Sequence, residues 1–337
     1  MSKVLITGIG GAIGVHMLAH IMHNTERDVV GIDSFNHLGY FDRLTEVTGD
    51  HQDWLPRLQV IRHDLTAPIT SREIEKFGEV DYIINLASLS DVSGSIADPV
   101  PFVRNNTEIM LTMLELAREL KPKTFLHFST DEVYGSAPVD SGHKEWDTIM
   151  PSNPYSASKA GQEALAIAWW RSFGVPVIIT NTMNNFGEMQ GATKYPAMIQ
   201  SKIAKGEKIT VHAATDGTIG TRYYIHSRNT ADAVLFILRN TDAHLHQPGE
   251  IDRPDRYNIV GDAQVDNLEL AQTIARLMGK ELEYELVDFH SHQPGHDLHY
   301  GLNGDKLASL GWKSPATFEE SLKKTIKWQK EHPEWLK

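Results

Sequence analysis

The chain has 337 residues, and its 41% hydrophobic and 23% charged content is typical of a soluble enzyme with one large α/β domain and a smaller lobe. The net charge of −12 argues against a nucleic acid or an anionic membrane as a partner. The sequence contains no cysteine, which excludes disulfides and thiolate metal sites, and no apolar run approaches a membrane span. Because no apolar signal stretch precedes the first predicted strand, we expect a cytoplasmic protein.

Short apolar runs alternate with longer helical patterns through the first half of the chain. Buried strands are predicted at residues 4–6, 29–32, 58–61, 82–86, 125–128 and 177–179. Helices are predicted between them at residues 13–23, 99–120 and 157–173. This alternation predicts an α/β fold with a Rossmann-type doubly wound parallel sheet and right-handed crossovers.

The alternation breaks down after about residue 180. Further helices are predicted at residues 195–205, 230–239, 268–278 and 318–330, and short strands at residues 209–212 and 257–260. We predict a first domain over residues 1–186, with a return segment at about 222–240. A smaller C-terminal substrate lobe is predicted mainly from residues 187–337.

A glycine turn follows the first predicted strand and opens the first predicted helix. It consists, at G-x-x-G-x-x-G spacing, of Gly8, Gly11, Ala12, Ile13 and Gly14. Glycines at such a turn let the main chain approach a pyrophosphate, whose charge is stabilised by the helix N-terminus. Asp33 ends the second strand, where a carboxylate bonds the ribose hydroxyls and repels a 2′-phosphate. The first domain is therefore predicted to bind NAD; the alternative is an ordinary glycine turn beside a solvated aspartate.

Two further strand ends are expected to line the cofactor, since ligands of doubly wound sheets lie beyond the carboxyl ends of the strands. The third strand is followed by Asp64 and Leu65, and the fourth leads into Leu86, Ala87 and Ser88. We predict that these residues lie along the adenosine and nicotinamide portions of NAD.

A second motif combines parts of an oxidation site and an elimination site. Tyr155 and Lys159 are four residues apart, so a helix places both on one face, and a neighbouring ammonium is expected to lower the pKa of the phenol. Such a tyrosine takes a proton from a sugar hydroxyl while hydride leaves the same carbon. Thr130 precedes Asp131 and Glu132, whose carboxyl groups serve as an acid and a base if their pKa values are pushed apart. The alternatives are a chance helix pair and two carboxyl groups that only turn the chain.

With these residues placed, the chain resembles the extended short-chain dehydrogenases/reductases of the NAD-dependent epimerase/dehydratase group, nearly from end to end. Residues 129–135, which contain the Asp-Glu pair, most resemble the nucleotide-sugar 4,6-dehydratases, and the dTDP-glucose 4,6-dehydratases in particular. Further shared segments are residues 184–187, 294–297 and 310–312. Relatives that only epimerise or decarboxylate usually lack the adjacent pair.

The resemblance implies a lyase of carbohydrate biosynthesis that converts a nucleoside-diphosphate hexose into a 4-keto-6-deoxy sugar. It implies that Tyr155, assisted by Lys159, deprotonates the C4 hydroxyl as hydride passes to NAD, while Thr130 orients that oxygen. Glu132 then removes the C5 proton, Asp131 protonates the departing C6 hydroxyl, and hydride returns to C6. The substrate contacts expected in this site are Ser90, Asn184, Asn185, Arg222 and His296. In relatives two helices of each subunit pair across a dimer, so we expect a homodimer.

Several positions depart from the dTDP-glucose dehydratases and leave the nucleobase and the sugar open. Leu89, Asp91 and Gly94 stand where that subfamily has other charged or imidazole groups, and Gln293 stands where an arginine is common. The nearest alternative is a nucleotide-sugar 4-epimerase, which leaves the carboxyl pair idle. An alternative of another class is a non-catalytic NAD-binding regulatory module. The 17 histidines follow no metal-ligand pattern, and we expect no metal.

Overall fold

The computed structural model describes residues 2–36, 40–137, 141–288 and 297–336. These residues contain a main sheet of seven parallel strands. Numbered in chain order, its strands are β1 (Lys3–Thr7), β2 (Asp28–Asp33), β3 (Leu58–Arg62), β4 (Tyr82–Asn85), β5 (Thr124–Thr130), β6 (Val177–Thr182) and β10 (Asp255–Ile259). Their order across the sheet is β10-β6-β5-β4-β1-β2-β3. The strand order reverses between β1 and β4, which makes this a doubly wound Rossmann-type sheet and confirms the predicted fold class.

Helices cover both faces of the sheet because successive strand residues point to opposite sides. One face packs against α1 (Ala12–Asn24) and α8 (Ser227–Asn240), and the other against α5 (Pro99–Leu120) and α6 (Pro154–Phe173). Val4 and Ile6 belong to the apolar cluster on the side of α1 and α8, whereas Leu5 between them belongs to the cluster on the side of α5 and α6. Each such aliphatic side chain contributes about 1.5–3 kcal/mol by its burial, so the alternation fixes the register of the strand.

The second lobe contains two small sheets with its own apolar cluster. The three-stranded sheet contains β7 (Asn184–Phe186), β9 (Thr221–His226) and β11 (Gln264–Asp266), and the two-stranded sheet contains β8 (Ile209–Ala213) and β12 (Tyr284–Asp288). The helices of this half are α7 (Tyr195–Lys205), α9 (Asn267–Met278), α10 (Asp305–Ser309) and α11 (Phe318–Glu331). Phe186, Ile199, Leu270 and Leu322 meet in the apolar cluster of the lobe. Its core is therefore separate from the two clusters that flank the main sheet.

Short elements escaped the sequence prediction, although every predicted strand and helix is present. The missed helices are α2 (Tyr40–Gly49), α3 (Ser71–Phe77), α4 (Val92–Ala97) and α10, and the missed strands are β7, β9, β11 and β12. The missed 3₁₀ turns are Gln52–Arg57, Asp131–Tyr134 and Pro333–Leu336. Such segments carry too few turns for an apolar period to appear. Only α3 had a local signal, the capping box between Thr70 and Glu73.

The chain returns to the first domain twice after residue 186, once as a helix and once as a strand of the main sheet. Helix α8 packs on α1, and β10 pairs in parallel with β6 at the edge of the sheet. The domain boundary between residues 186 and 187, with its return segment at 222–240, stays a prediction. No helix in the part of the chain that the structure describes has both the length and the apolar character needed to span a bilayer.

Candidate active site

The glycine turn after β1 is built from close approaches of the main chain. Gly8 has a φ of +69°, and a Cβ added to it would lie 3.1 Å from the Cα of Ala87. A Cβ added to Gly14 would lie 2.1 Å from the carbonyl oxygen of Gly8, which no side chain tolerates. The Thr7 hydroxyl accepts hydrogen bonds from the amides of Leu86 and Ala87, both at 3.0 Å. The end of β1 is thereby tied to the residues that follow β4.

The surroundings of this turn fit a pyrophosphate and a ribose. Helix α1 begins after Gly11, which offers no side chain to cap the first amides of the helix. The buried carboxylate of Asp33 accepts hydrogen bonds from the amide of Gly10 at 3.0 Å and from that of Phe35 at 2.9 Å. These bonds hold the carboxylate beside the turn, at the place where a ribose-binding acid is required.

The other predicted cofactor residues lie at the same edge of the sheet. Asp64 is exposed and accepts hydrogen bonds from the amide and hydroxyl of Thr66, whereas Leu65 is buried. The hydroxyl of Ser88 donates to the carbonyl of Leu89 at 3.1 Å. The contacts of these residues with a cofactor stay predictions.

The catalytic candidates meet where β5 ends and α6 begins. Thr130 ends β5 and donates from its hydroxyl to Asp131 Oδ1 at 3.0 Å. Asn153 caps α6 and donates from its amide to Glu132 Oε2 at 3.2 Å. Tyr155 lies in the first turn of α6, is 8% exposed, and shares a hydrogen bond with the Thr130 hydroxyl. One small pocket thus contains a phenol, a hydroxyl and two carboxyl groups.

The two adjacent carboxyl groups have different environments. Burial and, to a smaller extent, the nearby charge of Glu132 raise the pKa of Asp131 to about 7, although the hydrogen bond from Thr130 opposes the rise. Its second oxygen, Oδ2, is buried and has no hydrogen-bond partner among the described residues. Burial also raises the pKa of Glu132, but the amide of Asn153 and the charge of Arg222 oppose that rise. Asp131 is therefore suited to hold a proton and Glu132 to hold a negative charge.

The tyrosine and lysine differ from the expectation drawn from their spacing. Burial raises the pKa of Tyr155, and the charges of Glu132 and Asp131 raise it further. The predicted lowering of this pKa by Lys159 is wrong here, because Lys159 Nζ donates to the Phe128 carbonyl at 2.8 Å and to Gln162 Oε1 at 2.7 Å instead. Burial lowers the pKa of Lys159 to about 7. Both groups are thus held buried, with their charged forms disfavoured.

Arg222 is fixed next to the carboxyl pair. It is buried, and its guanidinium donates to the carbonyls of Thr221 at 2.7 Å, Leu298 at 2.8 Å and Asp297 at 2.7 Å. The same group lies 4.4 Å from the centre of the Tyr300 ring. Its charge lowers the pKa of both Asp131 and Glu132, so its electrostatic effect reaches the reacting groups.

The other predicted substrate residues have mixed environments. Asn184 is exposed at the start of β7. Asn185 is held on both sides, since its amide donates to Thr182 Oγ1 at 2.7 Å and its oxygen accepts from Thr230 at 2.7 Å. The carbonyl of Ser90 accepts a hydrogen bond from Lys194 Nζ at 2.9 Å. His296, like Gln293, lies outside the described residues.

The departures after β4 have a packing explanation at one position. A Cβ on Gly94 would lie 2.9 Å from Asp91 Oδ2 and 3.1 Å from Phe102 Cζ, so a side chain there requires both neighbours to move. The side chain of Asn106 makes two hydrogen bonds to the main chain of Leu89. Asn106 Oδ1 accepts from the Leu89 amide at 2.8 Å, and Asn106 Nδ2 donates to the Leu89 carbonyl at 3.1 Å. This segment is therefore shaped by its own contacts rather than left loose.

Sequence reasoning missed several residues of the site. Ser95 accepts a hydrogen bond from the Tyr155 amide at 3.1 Å, and Lys194 lowers the pKa of Glu132 by its charge. Asn153 was also missed, although asparagine before proline is a typical helix start; the helix was predicted to begin at residue 157 and begins at Pro154. Ser95 and Lys194 had no comparable signal, since only the tertiary fold brings them to the site. Among the described residues, no group of three histidine, aspartate or glutamate side chains is arranged to hold a metal ion.

Comparison with known proteins gives concordant results. A family model described as GDP-mannose 4,6 dehydratase matches residues 5–325. The dTDP-glucose 4,6-dehydratase of Haemophilus influenzae is 32% identical, covering 97% of this chain and 98% of the relative. The crystal structure of DesIV, a dTDP-glucose 4,6-dehydratase from Streptomyces venezuelae with NAD bound, superimposes with a TM-score of 0.86 at 26% identity, over 99% of this chain and 100% of that chain.

An epimerase shares the same fold. The UDP-glucuronic acid 4-epimerase of Bacillus cereus superimposes with a TM-score of 0.84 at 22% identity, over 98% of this chain and 99% of that chain. Because the family match extends over most of the sequence, the chain belongs to the GDP-mannose 4,6 dehydratase family of extended short-chain dehydrogenases/reductases.

Proposed function

We propose that this protein is an NAD-dependent nucleoside-diphosphate-sugar 4,6-dehydratase, a hydro-lyase that forms a 4-keto-6-deoxy sugar nucleotide. The observation that carries the proposal is the carboxyl pair beside Tyr155, in which Asp131 is buried and Glu132 is half-buried. An oxidation at C4 needs only the tyrosine, whereas an elimination across C5 and C6 needs an acid and a base as well. The dehydratase names of the relatives agree with this reading.

The residues around the glycine turn fit NAD. Gly8, Gly11 and Gly14 let the main chain approach a pyrophosphate, and the first turn of α1 provides amides for it. The Asp33 carboxylate suits ribose hydroxyls and repels a 2′-phosphate, which favours NAD over NADP. The chemistry that NAD supplies when bound is acceptance of hydride from C4 and its return at C6.

The side chains of the site divide the remaining steps. Tyr155 takes the proton of the C4 hydroxyl as its phenolate, and the Thr130 hydroxyl, which is hydrogen-bonded to Tyr155, orients that oxygen. Because burial disfavours the phenolate, Tyr155 must first lose its own proton to solvent. The resulting ketone acidifies the C5 proton, which passes to the ionised Glu132. Asp131 gives its proton to the C6 hydroxyl, which leaves as water when the C6–O bond breaks. The raised pKa of Asp131, about 7, makes it the better proton donor of the pair.

The substrate is proposed to be a nucleoside-diphosphate hexose. Arg222, with Ser90, Asn184, Asn185 and His296, is the expected set of contacts for its sugar and diphosphate. The three carbonyls that bind the Arg222 guanidinium hold this charge in place, and its electrostatic effect already reaches Asp131 and Glu132. A diphosphate beside Arg222 would place the sugar next to the catalytic carboxyl groups.

The protein is also proposed to form a homodimer. Large apolar side chains are exposed on the outer faces of α5 and α6, including Val100, Val103 and Leu111 on α5 and Phe173 on α6. Met110, Met113, Leu114 and Leu116 instead pack on the sheet, as ordinary core residues do. We keep the cytoplasm as the predicted compartment because the sequence contains no cysteine and therefore no disulfide.

The test is incubation with dTDP-, UDP-, CDP- and GDP-hexoses in deuterated water, followed by mass spectrometry. A 4,6-dehydratase loses water and gains one deuterium at C5, because the proton that Glu132 removes is replaced from solvent. Conversion without a mass change or deuterium would identify an epimerase. Binding of NAD with no conversion of any sugar nucleotide in the panel would contradict the proposed function and favour the binding module.

A further inference from the structure

A buried ion pair lies behind the catalytic residues. Arg256 on β10 donates from Nη2 to Glu163 Oε2 on α6 at 2.6 Å, and the two side chains are 1% and 0% exposed. Removing two charges from water is costly, so a buried pair is a weak source of stability compared with apolar residues of the same volume. Its position next to the proposed site indicates a role in the site rather than in stability alone.

The pair is connected to the site by two short hydrogen-bonded paths, one through Asn181 and one through Tyr134. The other oxygen of Glu163 accepts from the amide of Asn181 at 2.8 Å, and the same amide donates to the carbonyl of Thr130 at 3.0 Å. Arg256 in turn donates to the hydroxyl of Tyr134 at 3.1 Å. The pair therefore contacts the end of the 3₁₀ turn at Tyr134 directly and the residue before its start, Thr130, through Asn181.

The pair is also connected to Lys159. Glu163 follows Lys159 by one helical turn on α6, so both lie on the same face. The negative charge of Glu163 raises the pKa of Lys159, against the larger lowering caused by burial. The other groups near Lys159 are neutral acceptors, the Phe128 carbonyl and Gln162 on its own helix.

The remaining titratable neighbours do not replace Glu163 as a counter-charge. His127 on β5 has a pKa lowered well below its usual value by burial and by the charges of Lys159 and Arg256, so it is neutral. Tyr155 keeps its proton in the resting site because its pKa is raised, so it provides no anion there until the reaction begins. Arg256 on β10 is a cation bonded to Glu163, and Asp131 and Glu132 face Tyr155 from the turn after β5.

We propose that Glu163 is the counter-charge that keeps Lys159 protonated and holds Thr130 in register through Asn181, and that Arg256 is the residue that fixes Glu163. Both are positioning residues, and their catalytic consequence rests on the proposed function. Strand β10 then does more than extend the main sheet, because it brings Arg256, a residue from late in the chain, next to Glu163 behind the catalytic residues.

Glu163→Gln tests the counter-charge without changing the shape of the side chain. Lysine labelled with ¹³C at Cε is titrated by NMR, with Lys159→Met to identify the resonance. We expect the Lys159 midpoint to fall by about one pH unit in Glu163→Gln. Glu285→Gln, in an exposed ion pair with Lys208, is the matched control and should leave the midpoint unchanged. An unchanged midpoint in folded Glu163→Gln overturns the proposal.

Turnover gives the second measurement. Glu163→Gln should lose at least about tenfold in kcat at pH 8 and regain most of it at lower pH, whereas a purely structural defect lowers kcat equally at every pH. Arg256→Lys, which keeps the cation, should stay within a few-fold of the parent. If Glu163→Gln does not fold, Glu163→Gln/Arg256→Met removes both charges and should show the same Lys159 shift. If the parent turns over no sugar nucleotide, the proposed function fails, but the Lys159 titration still decides the role of Glu163.

Discussion

The glycine turn after β1 and the carboxyl pair after β5 lie at the same edge of the main sheet but are built differently. The turn consists of main-chain approaches so close that a Cβ on Gly14 would lie 2.1 Å from the Gly8 carbonyl oxygen. The carboxyl pair is defined by charge, since Asn153 and Arg222 act on Glu132 while Asp131 Oδ2 is left without a described partner. One region is specified by shape and the other by the protonation of its side chains.

The difference shows how each region is disrupted. A turn made of main-chain contacts tolerates no added methyl group. Because it binds through main-chain amides, its binding of a pyrophosphate does not depend on the titration of a side chain. A carboxyl pair tolerates an isosteric amide in its shape but loses its acid or its base. Variants that add volume should therefore affect cofactor binding, and variants that change only charge should affect turnover.

The largest effect on turnover is expected from Tyr155→Phe. The hydroxyl that takes the C4 proton is lost, so kcat should fall by about 10³-fold. NAD affinity should stay within about twofold, because the glycine turn is untouched. Steady-state assays and a calorimetric NAD titration measure the two quantities. Tyr284→Phe, in an exposed residue of β12, is the control, and equal turnover in both variants would refute the assigned role.

The next largest effect is expected from Gly14→Ala. The added Cβ meets the Gly8 oxygen and the Ile9 main chain, so we expect a loss of about 3 kcal/mol in the free energy of unfolding and no measurable NAD binding. Gly161→Ala is the matched control, because nothing lies within 4 Å of its added Cβ on helix α6. That variant should gain up to about 1 kcal/mol. Urea unfolding and NAD titration of both variants measure the difference, and similar stabilities would show that the turn is not built by close approach.

Asp131→Asn and Glu132→Gln separate the acid from the base. Each should lower kcat by about 10²-fold. Asp131→Asn keeps the base, so it should exchange the C5 hydrogen with solvent while eliminating little water, whereas Glu132→Gln should not exchange it. Deuterium in the recovered substrate distinguishes the two. Exchange in Glu132→Gln and none in Asp131→Asn would reverse the assignment.

The same groups determine the pH dependence of the parent. Asp131 must be protonated to donate, and its folded-state pKa of about 7 lies above its ordinary value. Lys159 must keep its charge, and its pKa is lowered to about 7. Both required protons are lost as pH rises, so kcat should decrease as pH rises through about 7. A pH–rate profile of the product-forming step checks this, and a profile that is flat to pH 9 would contradict it.

The sequence was sufficient for the fold and for the residues of the turn, because both depend on local patterns. Apolar runs at residues 4–6 and 29–32 and the spacing from Gly8 to Gly14 contain the necessary information. The sequence also identified Tyr155 with Lys159, but it predicted the wrong direction for the phenol pKa. Burial and two carboxylates outweigh a lysine that donates elsewhere, and neither burial nor the target of Lys159 Nζ is visible in a four-residue spacing.

The other charges of the site come from residues distant in sequence: Arg222 was predicted as a substrate contact, whereas Arg256 was missed. Arg256 lies 93 residues after Glu163, and Arg222 reaches the carboxyl pair from the second lobe's sheet. The pairing of β10 with β6 brings Arg256 to Glu163, and the pairing of β9 with β7 positions Arg222. The protonation of a site is therefore predictable from sequence only as far as its partners are local.

The smallest effect is expected at Asn153, where a local and a tertiary role meet in one side chain. Asn153 caps α6 and also donates to Glu132 at 3.2 Å, a bond that lowers the pKa of this base. Asn153→Ser keeps a capping oxygen and loses the donor to Glu132, whereas Asn153→Ala loses both. The free energy of unfolding of the serine variant should lie within about 0.5 kcal/mol of the parent's, and that of the alanine variant should be about 1 kcal/mol lower than the parent's.

Both Asn153 variants should change the pH dependence in the same direction. Glu132 must be ionised to act, and without the amide its pKa rises, so the acid limb of kcat should move to higher pH by about half a unit. Thermal or urea unfolding measures the cap, and pH–rate profiles measure the bond to Glu132. If Asn153→Ser keeps the acid limb of the parent, the amide does not tune the base. A shift in Asn153→Ala alone would then be an effect of the helix end, and the charge of Glu132 would depend on Arg222 and Lys194.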